Sequence, residues 1–311
     1  MSRGRISYHY LLFIQYIVFF LDINRYGLYE NRIPLFRSTT FEGEPMAENR
    51  KILDRRKFLI KGAAFLFGGL FGVSSLSKAF AFEENENKSF IKSHIALIID
   101  DIGYSRNRAR RFLDLGVPMT YAILPRLKNT HDLAIEIHDE GHEILLHQPM
   151  EPYNPDLDPG PGALYVGDRA EKIIKVMEEN ISSLPFIAGV NNHMGSRFTS
   201  SQEKMNQALR IIKKGGFFFV DSLTSNHSMA YRTARRLHMV TAYRNIFLDN
   251  RPDEKYILSQ LRKLKRHALK YGNAIAIGHP HPETARAIGH FLKDLNKSDI
   301  SMVYVSRLLH A

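Results

Sequence analysis

The sequence predicts an α/β domain on a parallel sheet, in the form of a distorted or incomplete (β/α)7-8 barrel. Three observations predict it. From residue 94 onward, strand-like runs alternate with helical patterns. Several runs are continuously apolar, such as Ile95-Ala96-Leu97-Ile98-Ile99, Phe217-Phe218-Phe219-Val220 and Ala274-Ile275-Ala276-Ile277. Such runs suit strands covered on both faces. The length after residue 81 suits a small barrel. An open doubly wound sheet is the competing topology.

The strand-like runs are, in order, His94–Asp101, Met119–Leu124, Glu143–Gln148, Phe186–His193, Phe217–Asp221, Met239–Tyr243, Ala274–His279 and Met302–Val305. Between them, Asp168 with Glu171 and Ser200 with Glu203 read as helix N-caps with an acidic residue three positions on. Gly116, Gly141 and Gly215 sit where helices should stop. The Pro- and Gly-rich stretch Met150–Gly167 follows the third run. It reads as a substrate-side rim or as a plain surface connection.

The preceding residues do not read as domain. Residues 46–81 combine the pair Arg55-Arg56, then Phe58-Leu59 and Lys61, an apolar stretch from Gly62 to Val73, and Ala79-Phe80-Ala81. This is the layout of a twin-arginine signal peptide with an A-x-A cleavage site. It predicts use of the twin-arginine (Tat) export machinery and a periplasmic or envelope-associated protein. An uncleaved anchor is the alternative, against which the apolar run is shorter than the roughly 20 residues a span needs. Residues 1–45 read as sequence upstream of a start at Met46. Residues 82–92 read as a polar linker and residues 93–311 as the domain.

The net charge is +11, but twelve Lys/Arg against six Asp/Glu lie within residues 1–81. The domain is only mildly basic. Its one basic run, Arg262-Lys263-Leu264-Lys265-Arg266, reads as a solvated helix face. No nucleic-acid partner is expected. The chain has no Cys, which excludes disulfides, thiolate ligands and a cysteine nucleophile. There is no G-x-G-x-x-G after the first strand and no G-x-x-x-x-G-K-[ST], so nucleotide-phosphate binding lacks its motif.

The distinctive polar residues share one position in the βα unit. Asp100 and Asp101 end the first run, and His147 the third. Asn191, Asn192 and His193 end the fourth, Asp221 the fifth and His279 the seventh. In parallel α/β architectures this end is the active-site face. A lone strand-end Asp is often an N-cap and a lone His often structural; the shared end favours a site. Adjacent buried carboxylates repel unless a cation is present. One Asp can bind a divalent metal while the other takes a proton from water, with His147 and His193 as neutral ligands. Zn²⁺ fits N/O ligands; Mn²⁺, Co²⁺ and Ni²⁺ remain open. Arg197 could hold an anionic substrate, orient Asp221 or form a structural ion pair.

Ile98-Ile99-Asp100-Asp101, Gly141-His142-Glu143-Ile144-Leu145-Leu146-His147, Gly189-Val190-Asn191-Asn192-His193-Met194-Gly195-Ser196 and Ile277-Gly278-His279-Pro280 together resemble the divergent polysaccharide deacetylase family, over about residues 93–309. The resemblance implies a distorted barrel, a divalent metal and a polysaccharide or oligosaccharide substrate. It implies Asp100 as base, Asp101 and His147 as metal ligands and His279 as general acid. The wider family's second histidine, a few residues after the first, is missing. His193 or Glu151 would supply the third ligand, and His193 restores the usual ligand type. The Arg-Pro motif is replaced by the Asn-Asn-His run. The Asp-x-x-Asp-Trp motif is reduced to Asp221-Ser222, and the chain has no Trp. Glu151, Asn192, Arg197 and Asp221 are expected around the site, on the substrate or behind the ligands.

The expected activity is hydrolysis of an N-acetyl amide on a cell-envelope polysaccharide. The alternative is a non-catalytic glycan-binding or envelope-organising protein that keeps the metal site. Phosphoester hydrolysis ranks third, for want of a second carboxylate-rich cluster.

Overall fold

The computed structural model describes residues 93–295 and 299–309. Residues 1–45, the signal-like segment with Arg55 and Arg56, and the linker lie outside the described residues. No helix among the described residues is long and apolar enough to cross a membrane.

The strands are β1 (Ser93–Ile102), β2 (Thr120–Ile123), β3 (Glu143–Met150), β4 (Ile187–Met194), β5 (Phe218–Asp221), β6 (Thr241–Tyr243), β7 (Ile246–Phe247), β8 (Asn273–Gly278) and β9 (Ile300–Met302). Every ladder is parallel. The strand order is β6-β5-β4-β3-β2-β1-β8-β7, with β9 also paired to β1. Because β6 and β7 stand at opposite ends of this order, a flat sheet would hold them about 30 Å apart. Yet only Arg244 and Asn245 separate them in sequence, a reach of about 11 Å. The sheet must therefore curl, and it does so as an incomplete barrel with a seam between β6 and β7. The open doubly wound alternative is excluded.

Two sequence expectations need correction. β7 has only two residues, too few for a periodic signal. The last strand lies at Ile300–Met302, ahead of the expected Met302–Val305; Val305 instead opens a 3-10 turn, Val305–Leu308. This tail closes the barrel floor. The Val303 N–H donates to the Ile95 carbonyl at 2.9 Å, and the Val305 N–H to Thr120 Oγ1 at 3.1 Å. Thr120 Oγ1 donates in turn to Glu143 at 2.9 Å.

Alternation along the strands sorts the core into two layers. Ala96, Ile98, Ala122, Leu145, Phe218, Val220, Ile275 and Ile277 fill the interior. Ile95, Leu97, Ile99, Leu146 and Phe219 face outward under the helices. The helices are α1 (Arg106–Leu113), α2 (Thr130–Asp139), α3 (Ala170–Ser182), α4 (Gln202–Lys214), α5 (Ala230–Arg236), α6 (Glu254–Tyr271) and α7 (Pro282–Leu295). In α4, Met205, Ala208, Leu209 and Ile212 are buried, the i, i+3, i+4, i+7 stripe of a core-facing helix. Each large side chain there contributes about 1.5–3 kcal/mol.

Caps differ by one residue from expectation. Ser201, not Ser200, caps α4 and accepts from the Lys204 N–H. Arg169 is the N-cap residue of α3, while Asp168 accepts from the Tyr165 N–H and from Lys172 Nζ. Gly116 and Gly141 follow α1 and α2 with φ of +63° and +83°, as left-handed helix exits require. Gly215 is the C-cap of α4, but Gly216 takes the positive φ.

Candidate metal centre and active site

The site stands where the interior columns run out at the C-terminal strand ends. Two residues past Leu145 the same column carries His147, and past Ile277 it carries His279. Asn191 and His193 continue the interior face of β4, and Asp100 follows Ile98. Strict alternation would turn Asp101 outward. Instead β1 is bulged, with a register shift against β2 between Ile99 and Ile102, and Asp101 has φ of +56°. A left-handed non-glycine residue costs on the order of 1–2 kcal/mol. The gain is that both adjacent carboxylates reach the barrel mouth.

Asp101 Oδ1 lies 2.9 Å from His193 Nδ1 and 3.2 Å from His147 Nε2. The two imidazole nitrogens are 3.2 Å apart. His147 Nδ1 meets Asn191 Oδ1 at 2.8 Å, which places its proton on Nδ1 and leaves a lone pair on Nε2. Asp101 Oδ1 is buried with no well-directed hydrogen bond, despite the close nitrogens. Three lone-pair atoms facing one another call for a positive charge between them. The edges suit it: a tetrahedral Zn²⁺ with ligands at about 2.0–2.1 Å separates ligand atoms by about 3.3 Å. Asp101, His147 and His193 thus fit a divalent metal, and His193 rather than Glu151 completes the set.

Asn191 links this trio to the second carboxylate. Its Nδ2 donates to Asp100 Oδ1 at 2.8 Å, and Asp100 Oδ2 lies 3.6 Å from His147 Nε2. Burial pushes the Asp100 carboxyl above the ordinary carboxylate range, against the attraction of His147 and His279. Burial also tends to raise Asp101, but its contacts with His147 and His193 overcome this and hold it well below that range. His147 is raised: burial opposes its charge, while Asp100 and Asp101 favour it. The cluster attracts positive charge, whether a proton or a metal ion.

His279 stands across the mouth, its Nε2 3.9 Å from Asp101 Oδ2. Behind it lies Asp249, a residue the strand-end reading missed. Asp249 Oδ1 meets His279 Nδ1 at 2.9 Å, and Oδ2 accepts from the His279 N–H at 2.6 Å and from Thr284 Oγ1 at 2.7 Å. Burial disfavours the imidazolium, but Asp249 outweighs it and raises His279 to about 9. Asp249 follows β7 by two residues, so an acid just past a short strand was its only sequence signal.

The remaining expected residues stand off the metal cluster. Asp221 shares the parity of Phe219 and faces outward. Its carboxylate accepts from the Leu223 N–H, Ser228 Oγ and the Tyr231 N–H at 2.9, 2.7 and 3.1 Å, bracing the turn into α5. Asn192 Oδ1 accepts from the Ser222 N–H and its Nδ2 donates to the Met194 carbonyl. Glu151 accepts from the Val166 N–H at 2.7 Å and pairs with Arg197 at 2.8 Å. Arg197 thus forms an ion pair with Glu151 and is not among the partners of Asp221. The Met150–Gly167 stretch is pinned from beneath: buried Gln148 and Asn180 both donate to the Gly162 carbonyl, at 2.9 and 2.8 Å.

The sequence matches the family described as divergent polysaccharide deacetylase over residues 97–309. The chain belongs to the divergent polysaccharide deacetylase family. Its relatives include the uncharacterized YibQ of Escherichia coli K12, 31% identical over 217 residues, 70% of this chain and 67% of YibQ. An uncharacterized Haemophilus influenzae protein is 30% identical over 226 residues, 71% of this chain and 78% of that one. The crystal structure of an uncharacterized Agrobacterium tumefaciens C58 protein superposes with a TM-score of 0.67 at 27% identity, covering 70% of this chain and 89% of the other. For this divergent deacetylase fold, the trio and the two flanking groups occupy the mouth of the barrel.

Proposed function

We propose that the protein is a metal-dependent hydrolase that removes acetyl groups from an N-acetylated cell-envelope polysaccharide after export by the twin-arginine route. One observation carries this reading: three ligand atoms converge between a buried carboxyl, Asp100, and an imidazole held by a carboxylate, His279. Asp101, His147 and His193 would hold the metal, most simply Zn²⁺. Bound there, it would supply Lewis acidity toward the acyl carbonyl and toward the attacking water. Asp100, buried and fixed by Asn191, accepts the proton of that water; its raised proton affinity makes it a stronger base. His279 carries a proton near neutral pH and delivers it from Nε2 to the departing amine. Asp249 holds the ring through Nδ1, so that Nε2 faces the mouth.

The test is acetate release from N-acetylglucosamine oligomers by Zn²⁺-loaded protein. We expect Asp100→Asn to lower the rate by at least about a hundredfold, the usual share of a general base, while bound metal stays at the wild-type stoichiometry. Absence of acetate release from any N-acetylated glycan would refute the hydrolase. Saturable glycan binding under those conditions would favour the non-catalytic reading.

A further inference from the structure

Beside the metal cluster, β1 and α1 frame a small cavity of about 90 Å³, lined among others by Asp101, Tyr104, Ser105, Arg108, His279 and His281. It shares Asp101 and His279 with the site, so a substrate presented to them extends into it. Arg108 distinguishes the cavity. On α1, Arg106 pairs with Glu136 at 2.7 Å, and Arg110 with Asp114, Glu136 and Glu140, while Arg111 lines a separate cavity with Asp114 and Pro282. Among the described residues the Arg108 guanidinium has no carboxylate or carbonyl partner. Tyr104, 59% exposed, forms another wall with its ring free for a sugar face. The Gly160 turn of the rim packs against the Tyr104 hydroxyl. Asp158, the nearby acid of that turn, has its carboxylate on the Gly160 N–H at 2.8 Å.

We infer that this cavity is an oxyanion subsite, in which Arg108 binds a carboxylate or phosphate carried on or next to the N-acylated sugar. A guanidinium presents a planar fork of donors that matches either group. His281 adds a further ring nitrogen at the same wall. The carboxylate Asp101 would be offset by the cation it binds, so an anion meets a net positive wall. This specificity rests on the hydrolase reading for its setting, but it concerns binding and is read separately from turnover.

The experiment measures affinity of the full-length, Zn²⁺-treated chain for three probes by calorimetry. They are neutral di-N-acetylchitobiose, a disaccharide containing N-acetylmuramic acid, and N-acetylglucosamine 6-phosphate. We expect one or both anionic probes to bind at least roughly tenfold more tightly than the neutral one, the share of a charge-assisted hydrogen bond. Arg108→Ala should erase that preference, and Arg108→Lys should keep part of it. The two anionic arms separate carboxylate from phosphate recognition. Equal binding of all three probes, binding of none, or a preference that survives Arg108→Ala overturns the inference. Preference without acetate release overturns the hydrolase reading and leaves the subsite standing.

Discussion

Asp249 sets the proton affinity of His279, and the consequence is measurable. The folded-state value of about 9 stands above the ordinary 6.5. The charged pair therefore adds stability that is fully present below pH 6.5 and is lost as pH rises through about 9. We expect chelator-treated protein to lose stability between pH 6.5 and 9, and Asp249→Asn to flatten that loss. In the same variant, the His279 ring followed by NMR should titrate nearer 6.5; an unchanged titration would show that Asp249 is not its cause. At this scale the sequence marks residues better than it orients them. Asp100, Asp101, His147, His193 and His279 were legible because a polar residue ends an apolar strand. Asp221 meets the same criterion, yet faces outward, because its place in the pleat differs by one residue. The bulge that brings Asp101 inward has no signature in a run of Ile, Ile, Asp and Asp.

Strands of four residues or more were legible. The long runs of β1, β3, β4 and β8 were located to within one or two residues. β7, at two residues, offers no period to read, and Asp249 went unseen with it. The caps moved by one residue because Ser200 and Ser201 are chemically equivalent candidates, and only local geometry selects Ser201. Packing between strands is equally invisible in a string of letters. Gly189 lies on β4 against the ring of Phe218 on β5: a Cβ there would come within 2.5 Å of Phe218 Cε2 and 2.6 Å of Cδ2. The ring belongs to the interior core cluster with Ala96, Leu145 and Val220. Gly189→Ala should destabilise the fold by about 1–3 kcal/mol in urea denaturation. Combining it with Phe218→Leu should recover part of that loss, and a neutral single variant would contradict this packing.

For the whole molecule, the parallel α/β character was plain from the apolar runs, but curvature was not. A barrel and an open sheet use the same runs, and the two-residue link from β6 to β7 decides between them. Metal binding couples to this scale. A ligand held only by the folded state at a hundred times its Kd adds about 2.7 kcal/mol. For a domain of this size that is a rise in Tm of about 5–10 °C. We expect Zn²⁺ to produce such a shift in thermal melts, and His147→Ala and His193→Ala to abolish it. A full shift in both variants would place the metal elsewhere.

The position of β1 has a consequence for biosynthesis. This strand is the first of the described residues to leave the ribosome, yet it lies mid-sheet. Of its three partners, β8 and β9 are the last strands of the described residues to be made. The nascent chain can pair β1 with β2 early, but its other edge stays bare until β8 emerges. Its first residues wait for β9, which shares the β2 side. The barrel therefore closes only after β8 and β9 have emerged, and the apolar face of β1 needs shelter until then.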